Sequence, residues 1–165
     1  MLLKVSIAGL IIDPASNTPI VILKSDKDDQ AIPIWIGLLE ATSIATTLQN
    51  IKVDRPMTHD LFKNFTDLFD IKIEKVEVCD LKNNTFYARI YFIYENGKFS
   101  MDARPSDAIA LALRYNAPMY VDDTVIEKTK MSDDHAEAID NSEEGKKWAE
   151  YLKKLSPEDF GKYKI

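Results

Sequence analysis

The chain has 165 residues, 45% hydrophobic and 29% charged, a size and composition that suit one packed core and exclude a disordered or low-complexity polymer. A single cysteine, Cys79, excludes an intrachain disulfide and a zinc site of the cysteine-pair type. The net charge of −6 argues against tight non-specific duplex binding driven by counterion release.

The acidity is uneven. Residues 1–121 carry 13 Lys+Arg against 15 Asp+Glu, a net of −2, and residues 122–165 carry 8 against 12, a net of −4. A near-neutral body leaves room for a local positive groove, although no long basic stripe is present. The longest apolar runs, Ile7 to Ile12 and Ile32 to Leu39, are too short to span a bilayer. The opening residues Met-Leu-Leu-Lys-Val-Ser lack the basic end and small-residue cleavage site of a signal peptide. The expectation is a cytoplasmic protein with no membrane partner.

In chain order, Leu3 to Ile12 reads as a strand and Asp13-Pro14-Ala15-Ser16-Asn17 as a turn. Short strands follow at Ile20 to Leu23 and Ile32 to Ile36, separated by a charged turn. After Gly37, the spacing of Leu38, Leu39, Ala41, Ile44, Ala45 and Leu48 predicts a helix. Thr58 reads as the N-cap of a second helix with a stripe of Leu61, Phe62, Phe65, Leu68 and Phe69. Ile71 to Val78 alternates as a strand, Asn83-Asn84 marks a hairpin, and Thr85 to Tyr94 is an aromatic strand. Asn96-Gly97 is the strongest two-residue hairpin signal, and Phe99 to Ala103 returns. Arg104-Pro105-Ser106 opens a helix over Asp107 to Tyr115. Its run from Ala108 to Leu113 has no polar face, so this helix is expected at the centre. Ala117 to Val121 reads as a last strand.

The predicted fold is α+β, a mainly antiparallel sheet with inserted helices in a single compact domain. A faint internal repeat runs through it. Gly37-Leu38-Leu39-Glu40-Ala41 resembles Arg104-Pro105-Ser106-Asp107-Ala108, and Arg55-Pro56 with Asp60 echoes the second. The expected partition is a domain over residues 1–122 and an appendage over 123–165. The appendage reads as an acidic linker, with six acids and no base from Met131 to Glu144, and an amphipathic helix carrying Trp148, Tyr151, Leu152 and Leu155.

Four side-chain groups could carry chemistry. The chain uses 17 Lys but only four Arg: Arg55, Arg89, Arg104 and Arg114. A guanidinium binds phosphate or carboxylate through a fork that lysine lacks, so each Arg is a phosphate-binding candidate or the partner of an internal acid. His59, in a first helical turn, is a general base, a metal ligand or a packed histidine. The acids Glu40, Asp60, Asp102 and Asp107 offer oxygen ligands suited to Mg²⁺ or Mn²⁺. An acid in a first turn is equally well explained by the helix dipole. On the aromatic strand, Tyr87, Arg89 and Tyr91 share one face and Phe86, Phe92 and Tyr94 the other, a pattern of base stacking or of simple burial. Arg104, Ser106 and Asp107 stand at the start of the central helix, where free backbone N–H groups favour phosphate.

The blocks Ile34-Trp35-Ile36-Gly37 with Glu40-Ala41, Arg55-Pro56-Met57-Thr58-His59-Asp60-Leu61, Thr85-Phe86-Tyr87-Ala88, and Asp102 through Ala112 resemble the bifunctional nuclease family over about residues 1–122. The resemblance implies hydrolysis of phosphodiester bonds in RNA and DNA, a capability described for the plant members. Cutting DNA as well as RNA rules out dependence on a 2′-hydroxyl nucleophile and calls for an activated water or a protein nucleophile. The expected site has His59, Asp60, Asp107 and Glu40 as catalytic residues and Arg55, Arg104, Ser106 and Arg89 on the phosphate. A divalent Mg²⁺ or Mn²⁺ would be held by some of Glu40, Asp60, Asp102 and Asp107. The expected partners are single-stranded RNA or DNA and further copies of the chain, as a dimer. The competing reading is a non-catalytic anion- or partner-binding module in which the same residues form a buried Arg–carboxylate network.

Overall fold

The computed structural model describes residues 1–27 and 30–137. Three strands open the chain: β1 (Leu2–Ile12), β2 (Pro19–Ser25) and β3 (Ala31–Trp35), paired as an antiparallel meander. Helix α1 (Leu38–Leu48) follows, then α2 (Thr58–Leu68). A second antiparallel meander, β4 (Lys72–Lys82), β5 (Thr85–Tyr94) and β6 (Gly97–Ala103), leads into α3 (Pro105–Tyr115). The short β7 (Met119–Asp122) and helix α4 (Asp123–Glu137) complete the described chain.

The seven strands form one sheet in the order β3-β2-β1-β7-β4-β5-β6. β7 joins the two meanders, antiparallel to β1 through Leu3↔Val121 and parallel to β4 through Val78↔Val121. The rest of the pairing is antiparallel, as the alternation and hairpin signals predicted. The internal repeat takes physical form here: each three-stranded meander runs into a helix whose third residue is acidic, Glu40 in α1 and Asp107 in α3.

The apolar run of α3 places that helix at the centre. Ile109 and Ala110 pack into a larger core with Val21, Ile44, Val78 and Val121. Ala108, Leu111 and Ala112 pack into a smaller core with Ile73, Ile90 and Phe92. Burying a side chain such as Ile109 stabilises the fold by about 1.5–3 kcal/mol, so the start of α3 is anchored in both cores. Pro105 is its first residue, where a missing N–H costs nothing. Asn116 caps its end in the left-handed conformation, at φ 50°.

Several local expectations are corrected. The N-cap of α2 is Met57, and Thr58 is the first helical residue. Of the predicted α2 stripe, only Phe62 packs inward; Leu61, Phe65, Leu68 and Phe69 are exposed. The turn between β5 and β6 is Glu95-Asn96, with Glu95 at φ 51°, and Gly97 already pairs with Tyr94. Asn83 and Asn84 both take positive φ, as a tight hairpin turn requires. Residues 123–137 form α4, and its Val125 and Ile126 are buried in the larger core, so the packed body extends past residue 122. The amphipathic helix expected from Trp148 to Leu155 lies outside the described residues. No described helix is long and apolar enough to cross a membrane.

Candidate functional site at three helix N-termini

Glu40, Asp60 and Asp107 are each the third residue of their helix, where the helix dipole favours a carboxylate. Only Asp60 satisfies its own helix end, accepting from the Met57 N–H at 3.0 Å. The other two turn toward one cation. Arg104 donates from Nε to Asp107 Oδ2 at 2.8 Å and from Nη2 to Asp107 Oδ1 at 3.2 Å, and its Nη1 lies 2.8 Å from Glu40 Oε1. A bidentate fork on one acid and a single contact to another hold the guanidinium in a fixed orientation. Its side chain nonetheless stays largely open to solvent.

Gly37 makes part of this arrangement possible. A Cβ on Gly37 would stand 2.2 Å from Glu40 Oε2, so the Glu40 carboxylate folds back over the start of α1 because no side chain occupies that space.

Behind Arg104 runs a chain of hydrogen bonds into the protein. Asp107 Oδ1 lies 3.0 Å from His59 Nε2, and His59 Nδ1 lies 2.8 Å from Ser43 Oγ. An ionised Asp107 accepts, so Nε2 carries a proton. In the neutral imidazole Nδ1 then accepts from the Ser43 hydroxyl. Burial pushes the Asp107 carboxyl up, but hydrogen bonds from Arg104 and His59 outweigh it and hold the group below the usual carboxylate range. Ser43 is only 3% exposed. It cannot meet a polymer as a nucleophile, and it acts on the site only through His59.

Asp60 has a different partner. Arg114 donates from Nε to Asp60 Oδ1 at 2.6 Å and from Nη1 to the Ser43 and Ala110 carbonyls. Burial raises the Asp60 carboxyl, but the Arg114 and Met57 hydrogen bonds bring it below its ordinary value. Asp60 is thus a joint between helices and presents no free oxygen to a ligand.

The structure therefore brings together Glu40, His59, Arg104 and Asp107 and leaves the other expected residues apart. Ser106 is buried in α3 and offers no surface to a phosphate. Arg55 is exposed in the segment before α2, and its guanidinium makes no hydrogen bond or ion pair among the described residues. Arg89 and Asp102 oppose each other in the β5–β6 register. Strand alternation puts them on the sheet face opposite the helices, because Ala88, Ile90 and Phe92 face α3. Tyr87 and Tyr91 share that face; Lys75 stands over the Tyr91 ring at 4.3 Å.

The four acids expected to hold a metal thus do not converge. Among the described residues no group of three or more His, Cys, Asp or Glu is placed to share an ion. Asp60 and Asp107 have both oxygens engaged by protein donors, and Glu40 shares Arg104. A donor set already neutralised by guanidinium does not fit a divalent cation as arranged.

Sequence reasoning missed Ser43, and of the two roles open to Arg114 the structure shows the partner of an internal acid, Asp60. A signal for each existed. Ser43 shares the inward face of α1 with Ala41 and Ile44, where a hydroxyl needs a partner. Arg114, in the last turn of α3, follows directly on the apolar run Ala108 to Leu113, so its charge had to be met inside the fold.

A family profile of the bifunctional nuclease domain matches residues 21–134, a span that contains every residue of the cluster. The chain belongs to the bifunctional nuclease domain family. An uncharacterized protein of Mycobacterium tuberculosis is 33% identical over 95% of this chain and 97% of its own length. Bifunctional nuclease 1 of Oryza sativa subsp. japonica is 28% identical over 66% of this chain. Bifunctional nuclease 2 of Arabidopsis thaliana is 26% identical over 65%. The chain spans about a third of the length of these plant proteins (34% and 33%).

Proposed function

We propose that the protein is a nuclease that hydrolyses phosphodiester bonds in single-stranded RNA and DNA at the Glu40–His59–Arg104–Asp107 cluster. The observation that carries the proposal is an exposed, oriented Arg104 backed by the Asp107–His59–Ser43 chain, within a family whose plant members bear the name bifunctional nuclease. Arg104 is the phosphate clamp. A phosphate bound there competes with Glu40 and Asp107 for the guanidinium and frees a carboxylate oxygen beside the reacting centre. That oxygen accepts a proton from the attacking water as the water oxygen bonds to phosphorus and the ester P–O bond breaks, and the carboxylic acid so formed returns the proton to the leaving alkoxide. His59, held between Asp107 and Ser43, steadies the Asp107 carboxylate through its Nε2–H. Arg55, exposed before α2, is the second cation available to the strand. A cytoplasmic location belongs to the same proposal.

The test is cleavage of end-labelled single-stranded RNA and DNA with Mg²⁺, Mn²⁺ or EDTA, run in parallel on identically purified His59→Ala and Asp107→Ala proteins. Cutting of both substrates that is lost in both variants supports the site. Cutting that persists unchanged in both refutes it. The EDTA arm reads metal dependence directly: activity lost in EDTA would require Arg104 to move aside for an ion.

A second reading, the non-catalytic anion-binding module, is favoured by one observation. Glu40, Asp60 and Asp107 all meet an arginine, which is how a structural network is built. It expects no cleavage under any condition, phosphate binding dependent on Arg104, and a lowered melting temperature in Asp107→Ala.

A further inference from the structure

Strand β6 ends the sheet, and its residues from Gly97 to Asp102 are all exposed. It carries no proline, and its pairing with β5 runs without a bulge, so of the usual devices that blunt an open edge it has only the charged side chains Lys98 and Asp102. The nearby flank of α2 is unusual in the same direction. On one side, Asp60, Lys63 and Thr66 meet Arg114 and Tyr115 of α3. On the side away from α3 stand Leu61, Phe65, Leu68 and Phe69. Phe62 of α2 packs on Phe92, and Phe92 stacks on Phe99, so an aromatic relay links α2 to the edge strand. Phe99 and Met101 face the same way, through the pairs Phe92↔Phe99 and Ile90↔Met101.

These six apolar side chains are between 44% and 80% exposed. At about 200 Å² for a fully exposed large side chain, they present roughly 700 Å² of apolar surface. One partner of a standard interface buries about 800 Å², and a monomer rarely leaves so large a patch open.

The sequence of β6 identifies the occupant. In an antiparallel pair centred on Ser100, Lys98 of one copy, which also pairs with Glu74 of its own chain, stands opposite Asp102 of the other, and Phe99 opposite Met101. Charges pair on one face and apolar groups on the other. Centring the pair on Lys98 or on Asp102 sets like charges opposite each other, centring it on Met101 sets Lys98 opposite Arg104, and centring it on Phe99 leaves Lys98 opposite Ser100 with no charge pair. We propose that β6 and the outer flank of α2 bind a second copy of this chain about a two-fold axis at Ser100, extending one sheet through both copies. Asp102, far from the helix N-termini in orientation, thereby acquires a role at an interface. The proposal does not depend on the chain being a nuclease.

The test is sedimentation equilibrium on the full chain, with thermal melts as a folding control. The expected mass is twice the 18.8 kDa of one chain. Phe65→Glu with Leu68→Glu, both at exposed positions, gives a monomer with an unchanged melt of the isolated subunit. Asp102→Lys sets two ammonium groups opposite each other and weakens the dimer at least tenfold at low salt. Lys98→Glu together with Glu74→Gln, which removes the carboxylate that Lys98 meets in its own chain, added to Asp102→Lys restores it. A full chain that is monomeric at 100 µM (on the order of that concentration suffices for weak dimers) overturns the proposal. So does a dimer unaffected by both sets of variants. A monomer that dimerises only after removal of residues 138–165 also overturns it, because the chain's own tail would then be the cover.

Discussion

Arg114 binds Asp60 at 2.6 Å while reaching the carbonyls of Ser43 at 3.3 Å and Ala110 at 3.0 Å. One side chain, 6% exposed, thereby ties α1, α2 and α3 together just behind the candidate site. Removing either partner leaves a charge in a poorly solvated place. Arg114→Ala or Asp60→Ala should cost about 3 kcal/mol, a fall of roughly 10 °C in melting temperature for a chain of this size. Arg114→Lys should rescue little, because an ammonium cannot make the three divergent contacts. Melting followed by circular dichroism decides; a change of about 2 °C or less would reduce the pair to the value of a surface contact.

Ser43 acts on the cluster only through His59. Ser43→Ala removes the hydroxyl at Nδ1 and should cost about 1 kcal/mol in stability. Under the proposed function it should lower cleavage at least tenfold and move the pH–rate profile, since the imidazole loses the partner that orients it. A profile that keeps its shape and height would leave Ser43 as packing alone.

Arg104 offers the reverse combination. It is the exposed member of the network, so Arg104→Ala should change stability by no more than about 1 kcal/mol. Affinity for inorganic phosphate, read by calorimetry, should fall at least tenfold, and Arg104→Lys should recover only part of it. Phosphate bound equally well by all three proteins would move the anion elsewhere, with Arg55 the next residue to substitute.

Acid should unfold the protein through Asp60 and Asp107. Both carboxyls are held below their ordinary value in the folded state. A depressed folded pKa contributes stability that is full above the unfolded value of about 4 and is lost as pH falls through the folded one. Urea midpoints should therefore be level at neutral pH and drop below about pH 4. Asp60→Asn should start lower and fall less steeply. A midpoint that stays flat down to pH 2.5, well below the roughly 3.9 of a free aspartate, would show that neither pair contributes.

Local chemistry made much of the fold legible. The β-branched runs, the asparagine pair at 83–84 and the apolar span of α3 report on neighbours a few residues away, and they predicted the strands, a turn and the central helix. The outward stripe of α2 was misread as core because periodicity identifies a helix face but not what covers it. The α4 helix was missed because its acidic surface hides the two buried residues Val125 and Ile126.

The candidate site divides along the same line. The residue types and helix positions of Glu40, His59, Arg104 and Asp107 stand in the sequence, since an acid at a helix start and an arginine before proline are local facts. Which acid meets which arginine was decided by packing. α3 packs into both cores beside α1 and α2, so Asp107 faces His59 across 48 residues of chain. Strand alternation turns Arg89 and Asp102 to the far side of the sheet. Side-chain partnership at that range depends on how three helices are seated against one sheet, and only the assembled cores determine that.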